Sequence, residues 1–158
     1  LLPESQLDRF MIRLSIGYPK VSDEVNILKA KADKLNPRKV ERVMTAQDIL
    51  KIRKLSYKIH VSDEVYDYIA RISAATRSDK RLELGVSPRG SIASASMARC
   101  TAMFRGRDYV IPDDVRFVYT DVCAHRVIAA RVKGRMPSEE QVKAIVNDIV
   151  LATSSPKV

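Results

Sequence analysis

Residues 84–91 read LGVSPRGS, a polar connection between two long stretches of helical pattern. Pro88 disfavours the helical region at the residue before it, so Ser87 is expected to be extended. Ser91 is predicted to cap the helix that follows, because its hydroxyl is the kind of acceptor that helix N-termini need. The stretch therefore predicts a stiff turn that leads into a helix and separates the helical patterns on either side of it.

The helical pattern covers most of the chain on both sides of this turn. Apolar residues recur every three or four positions, and each stripe follows a residue suited to a helix N-terminus. Asn36-Pro37 and Gly106 are predicted to end two of the helices. Residues 57–61 and 109–111 are predicted to be extended, and 77–90 to be a connection without regular structure. The predicted helix starts are Ser22, Thr45, Ser62, Ser91, Pro112 and Ser138.

The first residues carry a different pattern. Phe10, Ile12, Leu14 and Ile16 alternate with polar positions, as in a half-buried strand, and Gly17-Tyr18-Pro19 should end it. This strand is expected to be the last one of a sheet supplied by sequence before Leu1. The predicted fold is mainly α: a helical bundle preceded by one strand, with residues 1–20 as strand and hinge and 21–158 as the helical domain.

Composition limits the class of protein. Hydrophobic residues make up 46% of the 158 residues and charged residues 30%, which suits a folded domain. No apolar run approaches the roughly 20 residues of a membrane span. Two cysteines are too few for a disulfide framework and fit a reducing, cytoplasmic location. Both Cys100 and Cys123 fall within apolar stripes and are expected to pack in the core.

The net charge of +9 is concentrated in one stretch. Residues 29–58 contain ten Lys or Arg against three acidic residues, a net charge of +7. Such a stretch is either the solvated face of a helix or a surface for nucleic acid, phosphates or an acidic partner. The sequence leaves both interpretations open.

The chain lacks the residues of a catalytic centre. Gly85 and Gly90 have the glycine spacing of a phosphate-binding loop, but Ser91-Ile92 follows where Lys and a hydroxyl residue are needed. No hydrophobic strand ends in the paired acids that hold Mg²⁺. His60 and His125 are the only histidines, and neither has partners at metal-ligand spacing, so no metal site is predicted. We expect the chain alone to be inactive as an ATPase.

Several blocks together resemble the C-terminal part of MoxR-type AAA+ ATPases, a group related to magnesium chelatase and replicative helicase ATPases. The resemblance runs from about Leu2 to Asp148. One position departs from it: the family usually places Thr before the proline that corresponds to Pro112, where Ile111 stands here. The blocks are PESQLDRF at 3–10, GYP at 17–19, LGVSPRGS at 84–91, GRDYV at 106–110, PDDV at 112–115 and AHR at 124–126.

The resemblance implies roles for two arginines. Arg9 matches the arginine finger, which reaches into the ATP site of a neighbouring subunit and would be the catalytic residue of this chain. Arg89 matches the second-sensor arginine of the lid, which contacts the terminal phosphate of the nucleotide. Arg suits both roles, because its planar, permanently charged guanidinium matches phosphate oxygens. An arginine supplied by a neighbour can be worth about 10³–10⁵ in rate.

The resemblance further implies ATP and Mg²⁺ as cofactors of a longer protein, with neighbouring subunits of a homo-oligomeric ring as partners. It also implies a chaperone-like remodelling role with a von Willebrand factor A-domain partner. The alternative is a basic helical module that binds nucleic acid through residues 29–58. A plain adaptor domain without either ligand is the third possibility. Helix content alone does not choose among the three.

Overall fold

The computed structural model describes residues 3–32, 41–132 and 134–157. Within these ranges the chain is mainly helical, with seven α-helices, one 3-10 turn and a two-stranded sheet, so the predicted fold class is confirmed. The elements are α1 Glu4–Leu7, α2 Val21–Ala32, α3 Ala46–Ser56, α4 Asp63–Ser78, β1 Leu82–Leu84, α5 Pro88–Phe104, α6 Pro112–Cys123, a 3-10 turn Ala124–Arg126, β2 Ile128–Ala129 and α7 Glu139–Ala152.

Two of the predicted helix starts, Thr45 and Ser138, follow from local capping chemistry, whereas Ser62 caps α4 without a side-chain hydrogen bond and Ser22 lies inside α2, which begins at Val21. The Thr45 hydroxyl accepts the Asp48 N–H at the start of α3, and Ser138 does the same for Gln141 at the start of α7. At α6 the side chain of Ile111 cannot accept a hydrogen bond. Instead the Asp114 carboxylate accepts the Ile111 N–H at 3.0 Å, which completes half of a capping box without the usual hydroxyl.

The core is centred on the contact between α5 and α6. The buried face of α5 is made of small residues, among them Ala93, Ser94, Ala98 and Ala102. The stripe that the sequence predicts on α5 runs through Ala93, Met97, Cys100 and Phe104. Ala93 is buried and Met97 packs against the core, but Cys100 is only partly buried and the Phe104 side chain is 79% exposed, so the prediction was wrong at the end of the helix. Alanine and serine carry little hydrophobic weight in a pattern, yet they allow the close approach that a tightly packed helix pair needs.

A short sheet closes the bundle on one side. β1 pairs antiparallel with β2, Leu82 opposite Ala129 and Leu84 opposite Ile128. The sequence places β1 inside the irregular connection 77–90, and the apolar stripe that begins at Val115 predicts that α6 continues as far as Ala129. The structure corrects both points: α6 ends at Cys123, because the chain turns through a 3-10 helix and its backbone then joins the β1 ladder.

Two stretches predicted to be extended meet each other. The His60 N–H donates to the Asp108 carbonyl at 2.8 Å, and the Val110 N–H donates to the His60 carbonyl at 2.9 Å. His60 and Tyr109 thereby form an isolated parallel bridge, and Ile59, Val61 and Val110 lie buried around it.

The strand predicted at residues 10–16 does not form. A strand requires a neighbouring strand, and the described ranges offer this stretch none. Two of its backbone N–H groups have acceptors: the Phe10 N–H donates to the Leu7 carbonyl at 3.1 Å, and the Arg13 N–H donates to the Asp121 carbonyl at 3.3 Å. Phe10, Leu14 and Ile16 are exposed. Gly17 that follows has a φ of +73° with nothing within 4 Å of a Cβ built there, so its backbone conformation, and not space, calls for glycine.

α2 stands clear of the bundle, with all its described side chains through Lys31 exposed. The predicted end of this helix at Asn36-Pro37, and Leu35 of its stripe, lie outside the described residues. Of the helices that are described, none is long and apolar enough to cross a membrane.

Candidate functional site

The turn that carries Arg89 is built as the first turn of α5. Ser87 is the N-cap: its hydroxyl accepts the Gly90 N–H, and Pro88 occupies the first helical position, where its missing N–H costs nothing. The sequence had predicted Ser91 as the cap. That prediction was wrong by one turn, because the Ser91 hydroxyl lies 2.8 Å from the Ser73 hydroxyl inside the bundle. Arg89 therefore belongs to the helix and does not precede it.

Residues of α4 hold this turn from behind. The Thr76 hydroxyl accepts the Val86 N–H at 3.0 Å, and Arg77 Nε donates to the Val86 carbonyl at 2.8 Å. Gly85 lies so close that a Cβ added there would sit 2.6 Å from the Arg77 backbone N. Main-chain bonds and close packing thus fix the path of the chain that leads into Arg89.

Asp8 lies against this turn, far away in sequence but adjacent in space. Its Oδ1 accepts hydrogen bonds from the Ser87 hydroxyl at 2.9 Å and from Arg126 Nη1 at 3.0 Å. Its Oδ2 lies 3.8 Å from Arg89 Nη1. We call these four residues, Asp8, Ser87, Arg89 and Arg126, the Asp8 cluster. The cluster joins the segment predicted to carry the finger to the turn predicted to carry the sensor.

The two predicted site residues have exposed side chains. The Arg89 side chain is 58% exposed and has the long ion pair to Asp8. Arg9 is exposed as well, and within the described ranges its side chain has neither an ion pair nor a hydrogen bond. The structure thus brings Arg89 to the residue next to Arg9 in the chain, while the Arg9 side chain itself points to no described partner.

A cleft of about 640 Å³ opens beside the cluster. One wall comes from the N-terminal segment around Asp8, the other from the 83–87 stretch and the 3-10 turn. Beyond the cleft the N-terminal segment touches the bundle again: the Arg13 N–H donates to the Asp121 carbonyl at 3.3 Å, and Arg13 Nη2 pairs with Glu139 Oε2 at 2.6 Å.

Sequence reasoning missed Asp8 and Arg126 as site residues. Arg126 has a side chain only 1% exposed, although charged residues are rarely buried unless paired. It was noticed only as part of the AHR block. No local pattern separates a buried arginine from a surface one, because the acceptors that permit its burial lie more than a hundred residues earlier in the chain.

The cysteines and histidines differ in burial: Cys123 is buried, Cys100 and His125 are partly buried, and His60 is exposed. Burial raises the pKa of the Cys123 thiol to about 11, which fits the expected packing role. Cys100 is only partly buried and borders a groove of about 360 Å³ beside α3. Burial lowers the pKa of His125 below its usual value, although the Phe10 carbonyl lies 2.9 Å from its Nε2 and favours the charged form. In the described part of the chain no group of three or more metal-ligating side chains comes together.

The basic stretch is exposed where it is described. Lys29 and Lys31 lie on α2, and Arg42, Lys51, Arg53, Lys54 and Lys58 lie on or beside α3. Lys51 has an ion pair with Asp48 at 3.6 Å. Lys34, Arg38 and Lys39 lie outside the described residues. The described positions fit a solvated face, and nothing in their geometry singles out one kind of partner.

Comparison with known proteins adds a family match and several relatives. Residues 74–149 match the model of the AAA lid domain. The chain is 34% identical over 158 residues to the uncharacterized protein YeaC of Bacillus subtilis, covering 98% of this chain and 48% of that protein. It is 30% identical over 166 residues to the chaperone MoxR1 of Mycobacterium tuberculosis, covering 99% of this chain and 43% of that one.

A more distant relative and a solved structure point the same way. A magnesium-chelatase subunit ChlI homolog of Methanocaldococcus jannaschii is 25% identical over 151 residues, covering 90% of this chain and 39% of the homolog. The crystal structure of a putative ATPase from Cytophaga hutchinsonii superposes with a TM-score of 0.81 at 26% identity, over 99% of this chain and 50% of that one. The chain spans about half the length of these relatives, or less.

Proposed function

The chain belongs to the MoxR family of AAA+ ATPases and contains their lid domain, and on that basis we propose that it supplies two arginines for ATP hydrolysis. Arg9 would act as the arginine finger in the ATP site of a neighbouring subunit. Arg89 would act as the second sensor, at the terminal phosphate of the nucleotide. The observation that carries the proposal is the Asp8 cluster, which holds both arginine-bearing segments together in one place while their side chains stay exposed.

The position of Arg89 suits phosphate recognition. It lies in the first turn of the 17-residue helix α5, where the free N–H groups and the helix dipole favour an anion. Its ion pair with Asp8 is long and exposed, so little is lost when the guanidinium leaves it. The guanidinium is therefore available to a phosphate without disruption of the turn, which the bonds to Thr76 and Arg77 hold in place.

The position of Arg9 suits a role outside its own subunit. Its side chain is exposed, while Arg126 of the bundle donates hydrogen bonds to the backbone carbonyls of Asp8 and Phe10 on either side of it. A fixed backbone with an exposed guanidinium is the arrangement expected of a residue that must reach a partner at a defined place.

ATP with Mg²⁺ would supply the phosphoryl group and the counter-charge for its transfer. Arg9 and Arg89 fit that chemistry, since both are permanently charged and both are exposed. A phosphate loop with its lysine is required in addition, and it belongs to the rest of the family's fold.

The assembly and its biological role follow from the family. We propose a homo-oligomeric ring, since a finger acts only across a subunit interface. The division into residues 1–20 and 21–158 puts a hinge near Gly17-Tyr18-Pro19, and Gly17 has a positive φ. Because hydrogen bonds from Arg126 hold residues 8–11 on the bundle, movement at this hinge would displace α2 and not the Arg9 segment. A chaperone-like remodelling role, a von Willebrand factor A-domain partner and a cytoplasmic location complete the proposal.

A mixing experiment on the full-length protein tests the finger. Arg9→Ala alone should abolish most hydrolysis and leave nucleotide binding largely intact. When these subunits are mixed with phosphate-loop-defective subunits, sites that combine an intact loop with an intact neighbouring Arg9 should recover activity. If no ratio of the two recovers hydrolysis, Arg9 does not act in trans.

A further inference from the structure

Arg126 is a charged residue in a buried position, and its hydrogen bonds lead to one segment. Its Nε donates to the Val122 carbonyl at 2.8 Å, which anchors the side chain to the end of α6. Both terminal nitrogens donate to the N-terminal segment: Nη1 to the carbonyl and carboxylate of Asp8, and Nη2 to the Phe10 carbonyl at 2.5 Å. The guanidinium thus joins the bundle to the residues on both sides of Arg9.

Most of the acceptors are main-chain atoms. Asp8 and Phe10 each contribute a backbone carbonyl, and the Met11 carbonyl lies 3.4 Å from Nη2. Hydrogen bonds to main-chain carbonyls fix the path of the backbone independently of the side chains there. The position of the Arg9 Cα is therefore set from both neighbours, without any contact to the Arg9 side chain. We call this set of bonds the Arg126 clamp.

The clamp also touches the turn that carries Arg89. A Cβ added at Gly90 would lie 3.2 Å from Arg126 Cδ, so the first turn of α5 packs directly on the arginine stem. The Asp8 carboxylate, bound by the clamp, accepts the Ser87 hydroxyl as well. A displacement of the α5 N-terminus therefore meets both the clamp and its principal acceptor.

We propose that Arg126 is a positioning residue, which holds the Arg9 segment on the lid so that the finger offered to the next subunit moves with the lid of its own subunit. The inference rests on the proposed role of Arg9. It assigns to Arg126 no contact with nucleotide; its effect reaches the neighbouring site only through the backbone of residues 8–11.

A matched pair of variants in the full-length protein separates positioning from stability. Arg107 is the control, because its side chain is 22% exposed and pairs with the fully buried Asp114 at 2.6 Å, away from residues 8–11. Arg126→Met and Arg107→Met both remove one partner of a buried pair and should both lower the thermal midpoint.

At a temperature where both variants are folded, Arg126→Met should lower kcat by about 10²-fold with KM for ATP little changed, since small misplacements cost that much. Arg107→Met should keep kcat within about twofold of the wild type, an effect too small to indicate a changed site. Equal losses of kcat in the two variants would overturn the proposal.

Arg126→Lys keeps the charge but cannot bond two separate carbonyls with a planar fork, so it protects the test if the Met variant fails to fold. Its kcat should also fall while KM for ATP stays unchanged, but the fall should be smaller than in Arg126→Met. Wild-type kcat in this variant would mean that charge alone suffices and that the clamp does not position Arg9.

Mixed rings separate failure of this inference from failure of the finger itself. An Arg126 variant retains its own phosphate loop, so phosphate-loop-defective subunits with an intact Arg9 should restore its activity, as they should for Arg9→Ala. If Arg9→Ala is rescued and the Arg126 variant is not, Arg126 does not act through Arg9 and the inference is wrong. If neither is rescued, the proposed finger is wrong, and the inference falls with it.

Discussion

Arg89 Nη1 lies 3.8 Å from Asp8 Oδ2, beyond hydrogen-bond distance, while Arg126 and the Ser87 hydroxyl bind the Asp8 Oδ1 at 3.0 and 2.9 Å. Two arginines thus approach one carboxylate, and only the buried one binds it closely. The exposed one is held by charge alone, which water screens strongly. The same carboxylate can therefore stay bound to the bundle while Arg89 turns to another anion.

Replacement of Arg89 should separate ATP from ADP. In the full-length protein, Arg89→Ala should weaken ATP binding by about 10- to 100-fold, the loss expected for one hydrogen bond to a charged group of about 1.5–3 kcal/mol. ADP binding should change much less, because ADP lacks the terminal phosphate. Affinities for both nucleotides, measured by calorimetry, check this.

Lys51→Ala is the matched control for that measurement. Lys51 lies in the basic stretch, is exposed, and among the described residues has an ion pair with Asp48 alone. It should leave both nucleotide affinities unchanged. If Arg89→Ala has no larger effect than Lys51→Ala, and duplex DNA affinity falls with Lys51→Ala in a salt-dependent way, the nucleic-acid alternative is favoured over the sensor.

Gly90 should not tolerate a methyl group. A Cβ there would lie 2.5 Å from Val86 Cγ1, and Val86 is fully buried and cannot withdraw. Alanine favours a helix by up to about 1 kcal/mol over glycine, but overpacking costs about 1–3 kcal/mol, so Gly90→Ala should be destabilising overall. Thermal unfolding of the 158-residue chain measures the change. Ile92→Ala on the exposed face of the same helix should leave the midpoint nearly unchanged, and a Gly90→Ala midpoint at or above the wild type would contradict the packing.

His125 should make the chain less stable as the pH falls below neutrality. Burial lowers the pKa of His125 in the folded chain, so the unfolded chain binds the proton first. Stability is therefore lost as the pH falls through the unfolded value of about 6.5 and levels off below the folded pKa. The carboxylate of Asp114 acts in a separate window: burial alone would raise its pKa, but the hydrogen bonds and charges of Arg107 and Arg105 lower it, so its contribution is lost only under more acid conditions.

Thermal midpoints between pH 7.5 and 5 check the histidine effect. His125→Gln keeps a donor for the Phe10 carbonyl and should flatten the slope in this range. Identical slopes in the wild type and in His125→Gln would exclude His125 as the titrating group.

The purified chain should not hydrolyse ATP by itself. Its glycine-containing turn is followed by Ser91-Ile92 in place of a lysine and a hydroxyl residue, and that turn is filled from behind by Val86 and Arg126. Phosphate release assays on the 158 residues should give background rates. ATP hydrolysis by the purified chain would contradict the conclusion that this turn is not a phosphate-binding loop.

The parts of the fold that the sequence predicted are those with local causes. Thr45 and Ser138 satisfy orphan N–H groups within three residues of themselves, so their helices start where the pattern places them. Gly106 has a φ of +71° just after the end of α5, and this too has a local cause, because glycine readily adopts the left-handed conformation that ends a helix. The parts that were missed depend on distant partners. β1 has three residues and β2 two, too few for a period, and each exists only because the other lies beside it.

The candidate site divides in the same way. Arg9 and Arg89 could be singled out because short motifs surround them, and their proposed roles stay predictions. Asp8 and Arg126 are site residues because they contact each other although they lie far apart in the sequence. A local sequence pattern cannot reveal such a contact. The sequence predicted Ser91 and not Ser87 as the cap because both are serines near a proline. Only the hydrogen bond from the Gly90 N–H to the Ser87 hydroxyl decides between them.

The β1–β2 pair also bears on the order in which the chain folds. The helices between the two strands, α5 and α6, pack on each other through contacts close in sequence, so they can form early. The ladder can form only after that whole segment has closed into a loop. Loop closure costs chain entropy before the contacts that offset this cost have formed. The residues flanking the ladder, Val86 on one side and Arg126 on the other, are those that shape the site. A partly folded chain therefore holds its helices before it holds its site, and hydrogen exchange should find the amide of Ala130, which donates to the Arg81 carbonyl at 2.8 Å, protected later during refolding than those of α5.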